Sequence, residues 1–165
     1  MDTELHLCSI DARYLKFLHS VDYRVSVKYN NRPFVGFITM LNGINYVIPL
    51  TSQTTAERAK NGKGKRSARM TTFIRDSSGV EIANLLHNNM IPVPDNAYTI
   101  LQIDATKNTY ETNEIRFVRK HKEDIIKKAK KVYSDRLAGK DLFLCKHCCD
   151  FAKLESASRR FQQNS

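Results

Sequence analysis

The dipeptide Asn42-Gly43 most constrains what this chain can fold into. It stands between two apolar runs rich in β-branched and aromatic residues, Phe34–Leu41 and Tyr46–Leu50. Asn-Gly accepts the positive φ angles of a two-residue hairpin turn, whose twist matches that of the flanking strands. The two runs are therefore read as an antiparallel hairpin. Pro49 cannot donate a ladder hydrogen bond, so the second strand is expected to end or change character there. Thr51 and Ser52 then emerge as hydroxyls on a rigid base. Taken alone, they also fit an ordinary Thr-Ser turn after a core strand. Hairpin geometry brings the start of the first strand near the end of the second. Arg32, just before the first strand, is thereby expected near Thr51 and Ser52.

Downstream lies a basic segment, Arg58–Arg69, with Arg58, Lys60, Lys63, Lys65, Arg66 and Arg69 among twelve residues. It has two glycines and no large aliphatic residue, so it is expected to be mobile unless an anion orders it. The whole chain of 165 residues carries a formal charge of +10. Such an excess favours a polyanionic partner, nucleic acid first, with acidic membrane or protein surfaces as alternatives. The length suits a single domain, 1–165, with a real core. No apolar run approaches the ~18 residues of a membrane span. The start, Met-Asp-Thr-Glu-Leu-His, is polar and acidic, unlike a signal peptide, and a cytoplasmic location is the expectation.

In chain order, Leu5–Ser9 reads as an opening strand, with Ser9 as N-cap of a helix carrying Tyr14, Leu15 and Leu18 on one face. Tyr29–Pro33 is a turn by composition. Thr71–Ile74 reads as a strand, Glu81–Leu86 as helix or strand, and Met90–Val93 as an edge strand or strand end. Tyr98–Asp104 alternates like another strand. Thr112–Leu137 is the longest helical signal, interrupted at His121-Lys122 and stopped by Gly139. A last helix is expected over Phe151–Phe161. Cys8, Cys145, Cys148 and Cys149 read as reduced thiols, since a structural zinc site needs a second closely spaced ligand pair.

Phosphate-binding loops of the Walker and dinucleotide types are absent, and no carboxylate constellation suggests a two-metal nuclease. His19, His87 and His121 read as surface or packing residues. Phenols, hydroxyls and cations remain. Such groups can assist a ribose 2′-OH to attack its own phosphate by alignment, charge stabilisation and proton transfer. A non-catalytic RNA- or DNA-binding module and a protein-interaction domain are the alternatives.

Several segments, in order and spacing, resemble the ToxN/AbiQ-type endoribonuclease toxins of bacterial type III toxin–antitoxin systems. They are Ser9-Ile-Asp-Ala-Arg-Tyr14-Leu, Tyr29-Asn-Asn-Arg32-Pro-Phe34-Val-Gly36, Tyr46-Val-Ile-Pro-Leu-Thr51-Ser52, Met90-Ile-Pro-Val93 and Cys148-Cys-Asp-Phe151-Ala-Lys-Leu154-Glu155. The resemblance implies an α+β fold: a strongly bent antiparallel sheet, similar to an SH3-like barrel core, surrounded by helices that include a long one in the C-terminal half. It implies cofactor-free and metal-independent cleavage of cellular or phage RNA to a 2′,3′-cyclic phosphate, with growth arrest or abortive infection. The implied partner is a small repeat antitoxin RNA, which such toxins process and alternate with in closed assemblies. By the same resemblance the catalytic positions are Tyr14, Tyr29, Arg32, Thr51 and Ser52, with the Arg58–Arg69 cations on RNA. Arg32 replaces a family lysine. Thr54 stands where a second lysine is expected, which leaves Lys60, Lys63, Lys65 or another arrangement of cations to substitute.

Overall fold

The computed structural model describes residues 5–27, 34–103, 106 and 109–163. Seven strands form one antiparallel sheet: β1 (His6–Ile10), β2 (Phe34–Leu41), β3 (Ile44–Thr51), β4 (Thr71–Arg75), β5 (Glu81–Leu86), β6 (Ile91–Pro92) and β7 (Tyr98–Ile100). Six α-helices accompany them among the described residues: α1 (Ala12–Val21), α2 (Thr55–Lys60), α3 (Thr109–Lys120), α4 (Lys122–Ala138), α5 (Leu142–His147) and α6 (Phe151–Gln163). The strand order is β4-β5-β3-β2-β1-β7, with β6 also on β3. The sheet is open, so the implied barrel is not closed. Glu81–Leu86, ambiguous by sequence, is a strand, and the long helix of the C-terminal half is α4. No described helix is long and apolar enough to cross a membrane.

The hairpin forms as the turn chemistry predicts, with Asn42 at φ 52° and Gly43 at φ 74° and Leu41 opposite Ile44. Gly36 lies opposite Pro49, and a Cβ there would come within 2.4 Å of the Ile48 carbonyl oxygen, so this approach of β2 to β3 requires glycine. At Pro49 β3 does not end but changes partner, running on to Thr51. On its far side Tyr46 and Val47 pair with β6, whereas Leu50 and Thr51 pair with β5. Pro49 falls in the gap between those two pairings, which is where a missing N–H is tolerated.

β3 is the centre of the core: Tyr46, Val47 and Ile48 are fully buried. Burying side chains of this size is worth about 1.5–3 kcal/mol each. Around its first half, the rings of Tyr46, Tyr133 of α4 and Phe151 of α6 lie within 5.4–5.8 Å of one another. Both phenols donate to Glu155 Oε2, each at 2.6 Å, so one carboxylate of α6 joins the sheet to α4. Burial and then the bond to Glu155 push the Tyr46 phenol well above its usual range.

Two helix boundaries differ from the sequence reading. Ser9 belongs to β1, opposite Val35 and Thr99, and Asp11 caps α1 by accepting from the Arg13 amide at 2.8 Å. The single helix expected over Thr112–Leu137 is two helices, parted at His121 (φ −109°, ψ 19°), whose ring packs on Phe117. Gly139 ends α4 at φ 68°, as expected. Lys128, half-buried on α4, donates to the carbonyls of Ala68 and Thr71 at 2.8 and 2.9 Å and so binds the helix to the start of β4.

Candidate active site

Thr51 ends β3 beside Asn84 of β5 and is half-buried; its Oγ1 accepts from the Gln53 amide at 3.1 Å. Ser52, the next residue, is exposed. Thr54 caps α2 by accepting from the Glu57 amide at 3.3 Å. The position at which the resemblance expects a lysine therefore serves as a helix cap here.

The basic segment makes several bonds to the rest of the chain. Its start is helical, and Arg58 closes the loop by donating from Nε to Gly64 O at 2.8 Å. Lys60 and Lys63 are exposed, and Lys65 lies over the Phe73 ring at 4.9 Å. Arg69 meets two carboxylates, Asp141 at 2.6 Å and Asp135 at 3.3 Å, and fastens the loop to α4 and α5. Arg66 is half-buried and behaves differently from the rest. Its Nε donates to Asn84 Oδ1 at 3.1 Å and its Nη2 to Gln53 Oε1 at 2.9 Å.

Asn84, fully buried, donates in turn to Glu81 Oε2 at 2.9 Å, and the same oxygen accepts from the Thr55 amide at 2.7 Å. Burial alone would raise the Glu81 carboxyl, but the bonds from Asn84 and Thr55 outweigh it and hold the group below its usual range. Arg66 is pushed down, first by burial and then by the Arg58 charge. Arginine remains charged through such a shift. Hydroxyls, neutral amides and a fixed guanidinium thus gather at the end of β3. Gln53, Glu81 and Asn84 carry no sequence signal beyond one polar residue inside the apolar run Ile82-Ala83-Asn84-Leu85-Leu86.

Tyr14 is elsewhere. Its phenol is buried and donates to Pro92 O at 2.5 Å, with the Phe161 ring edge-on at 4.8 Å and Ser158 beside it. Burial raises it, the Ser158 bond opposing. None of those partners belongs to the Thr51–Arg66–Asn84 cluster. Tyr29 and Arg32 lie outside the described residues. His87 is buried against Thr72 Oγ1 at 2.8 Å, and His19 Nδ1 lies 2.8 Å from Val25 O. Cys8, Cys148 and Cys149 are buried; burial pushes the Cys8 and Cys148 thiols up to about 12. Among the described residues, no three His, Cys, Asp or Glu side chains gather as a metal ion would need.

Endoribonuclease AbiQ of Lactococcus lactis subsp. lactis is 28% identical over 167 residues, covering 98% of this chain and 91% of its own. A solved structure of AbiQ, a lactococcal anti-phage endoribonuclease of the type III toxin–antitoxin system, superimposes with a TM-score of 0.82 at 26% identity, covering 96% of this chain and 98% of that one. Endoribonuclease ToxN of Bacillus thuringiensis subsp. kurstaki is 28% identical over 169 residues, covering 94% of this chain and 83% of its own. A type III system described with selective toxin inhibition by a non-coding RNA pseudoknot matches at a TM-score of 0.79 and 25% identity, covering 96% of this chain and 98% of that one. The family model for toxin ToxN of type III toxin–antitoxin systems matches residues 6–159, nearly the whole chain, and this protein belongs to that family.

Proposed function

We propose that this chain is an endoribonuclease toxin that cleaves RNA without a metal ion and is held in check by a folded antitoxin RNA. The observation that carries the reading is the juxtaposition at the end of β3. Thr51 and the exposed Ser52 adjoin a guanidinium held by neutral amides, in a family whose members AbiQ and ToxN are endoribonucleases. In the proposed reaction the O2′–P bond forms and the P–O5′ bond breaks. The 2′-OH proton leaves, a proton reaches the departing O5′, and a 2′,3′-cyclic phosphate remains. Ser52 and Thr51 orient the phosphate, and cations offset the charge that builds on its oxygens. By resemblance Tyr29 and Arg32 complete the reacting group. The same resemblance adds Tyr14, whose phenol donates to Pro92 O and would have to be released from that bond to act on RNA. Lys60, Lys63 and Lys65 hold RNA along the loop, so an antitoxin RNA bound there also covers the cleavage site. The setting is the cytoplasm, with cellular or phage RNA as substrate, growth arrest or abortive infection as outcome, and a closed assembly of alternating protein and RNA.

The test is cleavage of a defined RNA by the purified protein in excess EDTA. Cutting should persist, yield cyclic-phosphate ends, spare a substrate with 2′-deoxyribose at the cut, and stop when the antitoxin repeat is added. Activity lost to EDTA and restored by magnesium would sink the metal-free mechanism. Salt-dependent binding without cutting would identify a binding module instead.

A further inference from the structure

Resting on the endoribonuclease reading above, we infer that Arg66 is the cation that faces the scissile phosphate, with Gln53 and Asn84 as the positioning residues that hold it there. Among the loop's six basic residues, Arg66 is the one bonded to both sides of the strand end. Gln53 follows Ser52 in the chain, and Asn84 is the register partner of Thr51. The guanidinium is therefore fixed in the same frame as the two hydroxyls. Those two bonds occupy two of its five N–H donors and leave the others for an anion.

The chemistry of the acceptors separates Arg66 from Arg69. Arg69 is met by two carboxylates, so its charge is answered within the protein. Arg66 is met by two neutral carboxamides, which fix its direction, and the one carboxylate that acts on it, Glu81, does so from behind Asn84 rather than by a direct ion pair. Glu81 stands one step behind. Its carboxylate can only accept, so it draws the Asn84 amino group to itself and turns Oδ1 toward Arg66. Arg58 adds a second positive charge nearby, an arrangement that an incoming phosphate relieves. This also accounts for Thr54: the lysine expected there gives way to a helix cap, and the cation comes from Arg66 instead. As O2′ attacks and O5′ leaves, charge grows on the non-bridging oxygens, which a planar fork of donors matches. Arginine keeps its proton at working pH, so Arg66 stabilises charge and transfers no proton.

The experiment measures kcat and KM for cleavage of one defined RNA by antitoxin-free protein. Wild type is compared with Arg66→Ala, Gln53→Ala, Asn84→Ala and the Arg66→Ala/Gln53→Ala double variant. Arg66→Ala should lower kcat by roughly 10²–10³-fold, as loss of a preorganised donor does, with little change in KM. Gln53→Ala and Asn84→Ala should each lower kcat about tenfold, the effect of one hydrogen bond. The double variant should be no slower than Arg66→Ala, because Gln53 then has nothing to position. Gln53→Ala, at a half-exposed site, carries the test where Asn84→Ala does not fold. An Arg66→Ala protein with unchanged kcat and raised KM overturns the assignment and makes Arg66 an affinity contact. Losses that multiply in the double variant overturn the positioning role. A wild-type protein that cuts no RNA overturns the endoribonuclease reading itself, and this assignment with it.

Discussion

The two ends of β3 each carry a polar cluster on the same rigid strand, and they are finished differently. At the Tyr46 end, two phenolic donors converge on one carboxylate within an aromatic shell, so donors and acceptors are matched inside the protein. At the Thr51 end, hydroxyls, carboxamides and a guanidinium meet, and cationic donors exceed the acceptors around Arg66. The first cluster needs nothing from outside and ties β3 to α4 and α6. The second leaves N–H donors of Arg66 open, and these are the donors that the proposed phosphate would fill. Burial does not tell the two apart, since Asn84 is as buried as Tyr46. The balance of donors against acceptors does.

The sharpest way to break this comparison is to cross two substitutions with two measurements. Ser52→Ala should lower cleavage by about 10²–10³-fold and leave the urea midpoint where it was. Glu155→Ala leaves two buried phenols without their acceptor and should cost about 2–4 kcal/mol of stability, with cleavage per folded molecule unchanged. A Ser52→Ala protein that unfolds as early as Glu155→Ala would erase the distinction.

Acid should sharpen it further, because the closed interior holds groups that resist protonation. Burial, and then the Lys128 charge, lowers His87 to about 3. The unfolded chain takes that proton near its ordinary value of about 6.5, so between the two values the unfolded state binds more protons. Stability from His87 is whole above that upper value and is lost as pH falls toward 3. Asp22 adds a step at lower pH. Burial opposes its charge, but bonds from Arg24 and the Asp150 amide hold it below the usual carboxylate range, so its contribution is lost as pH falls through the depressed value. Urea unfolding from pH 7 to 3.5 should show a steady fall whose upper part flattens in His87→Phe. A flat wild-type profile would remove His87 from this account.

The smallest effect belongs to the exposed lysines. Lys63→Ala and Lys65→Ala should each reduce the salt slope of single-stranded RNA binding by about 0.7, with no change in stability for Lys63→Ala and at most about 1 kcal/mol for Lys65→Ala, which loses its place over Phe73. An unchanged slope would make them bystanders at either end of β3.

What could be read from the sequence was local. Asn42-Gly43 specifies its turn through two φ angles, and Gly139 stops α4 for the same reason. The hydroxyls at the end of β3 followed from the hairpin. The rest of the site depends on β5 joining β3 opposite Thr51, a pairing between segments more than thirty residues apart with no local signal. Asn84 is therefore, by sequence, no more than one polar residue in an apolar run. For Arg58–Arg69, composition counts charges and glycines but not the bonds that Arg58, Arg66 and Arg69 make. Asp11 took the capping role from Ser9 because β1 extends through Ile10 and claims Ser9 for the ladder. The interruption visible at His121-Lys122 became a true break between helices.

The open sheet has a consequence for self-association. A margin of unpaired main chain is a template on which a second copy can add a strand, and from there aggregate. Here the β4 margin is approached by α3, and Lys128 sets an ammonium group on the carbonyls where that strand begins. The opposite margin, β7, is only three residues long. A second copy of a chain at +10 also meets like charge as it approaches. Strand addition by a second copy is therefore opposed at the β4 margin by α3 and Lys128, and the β7 margin offers it only three residues.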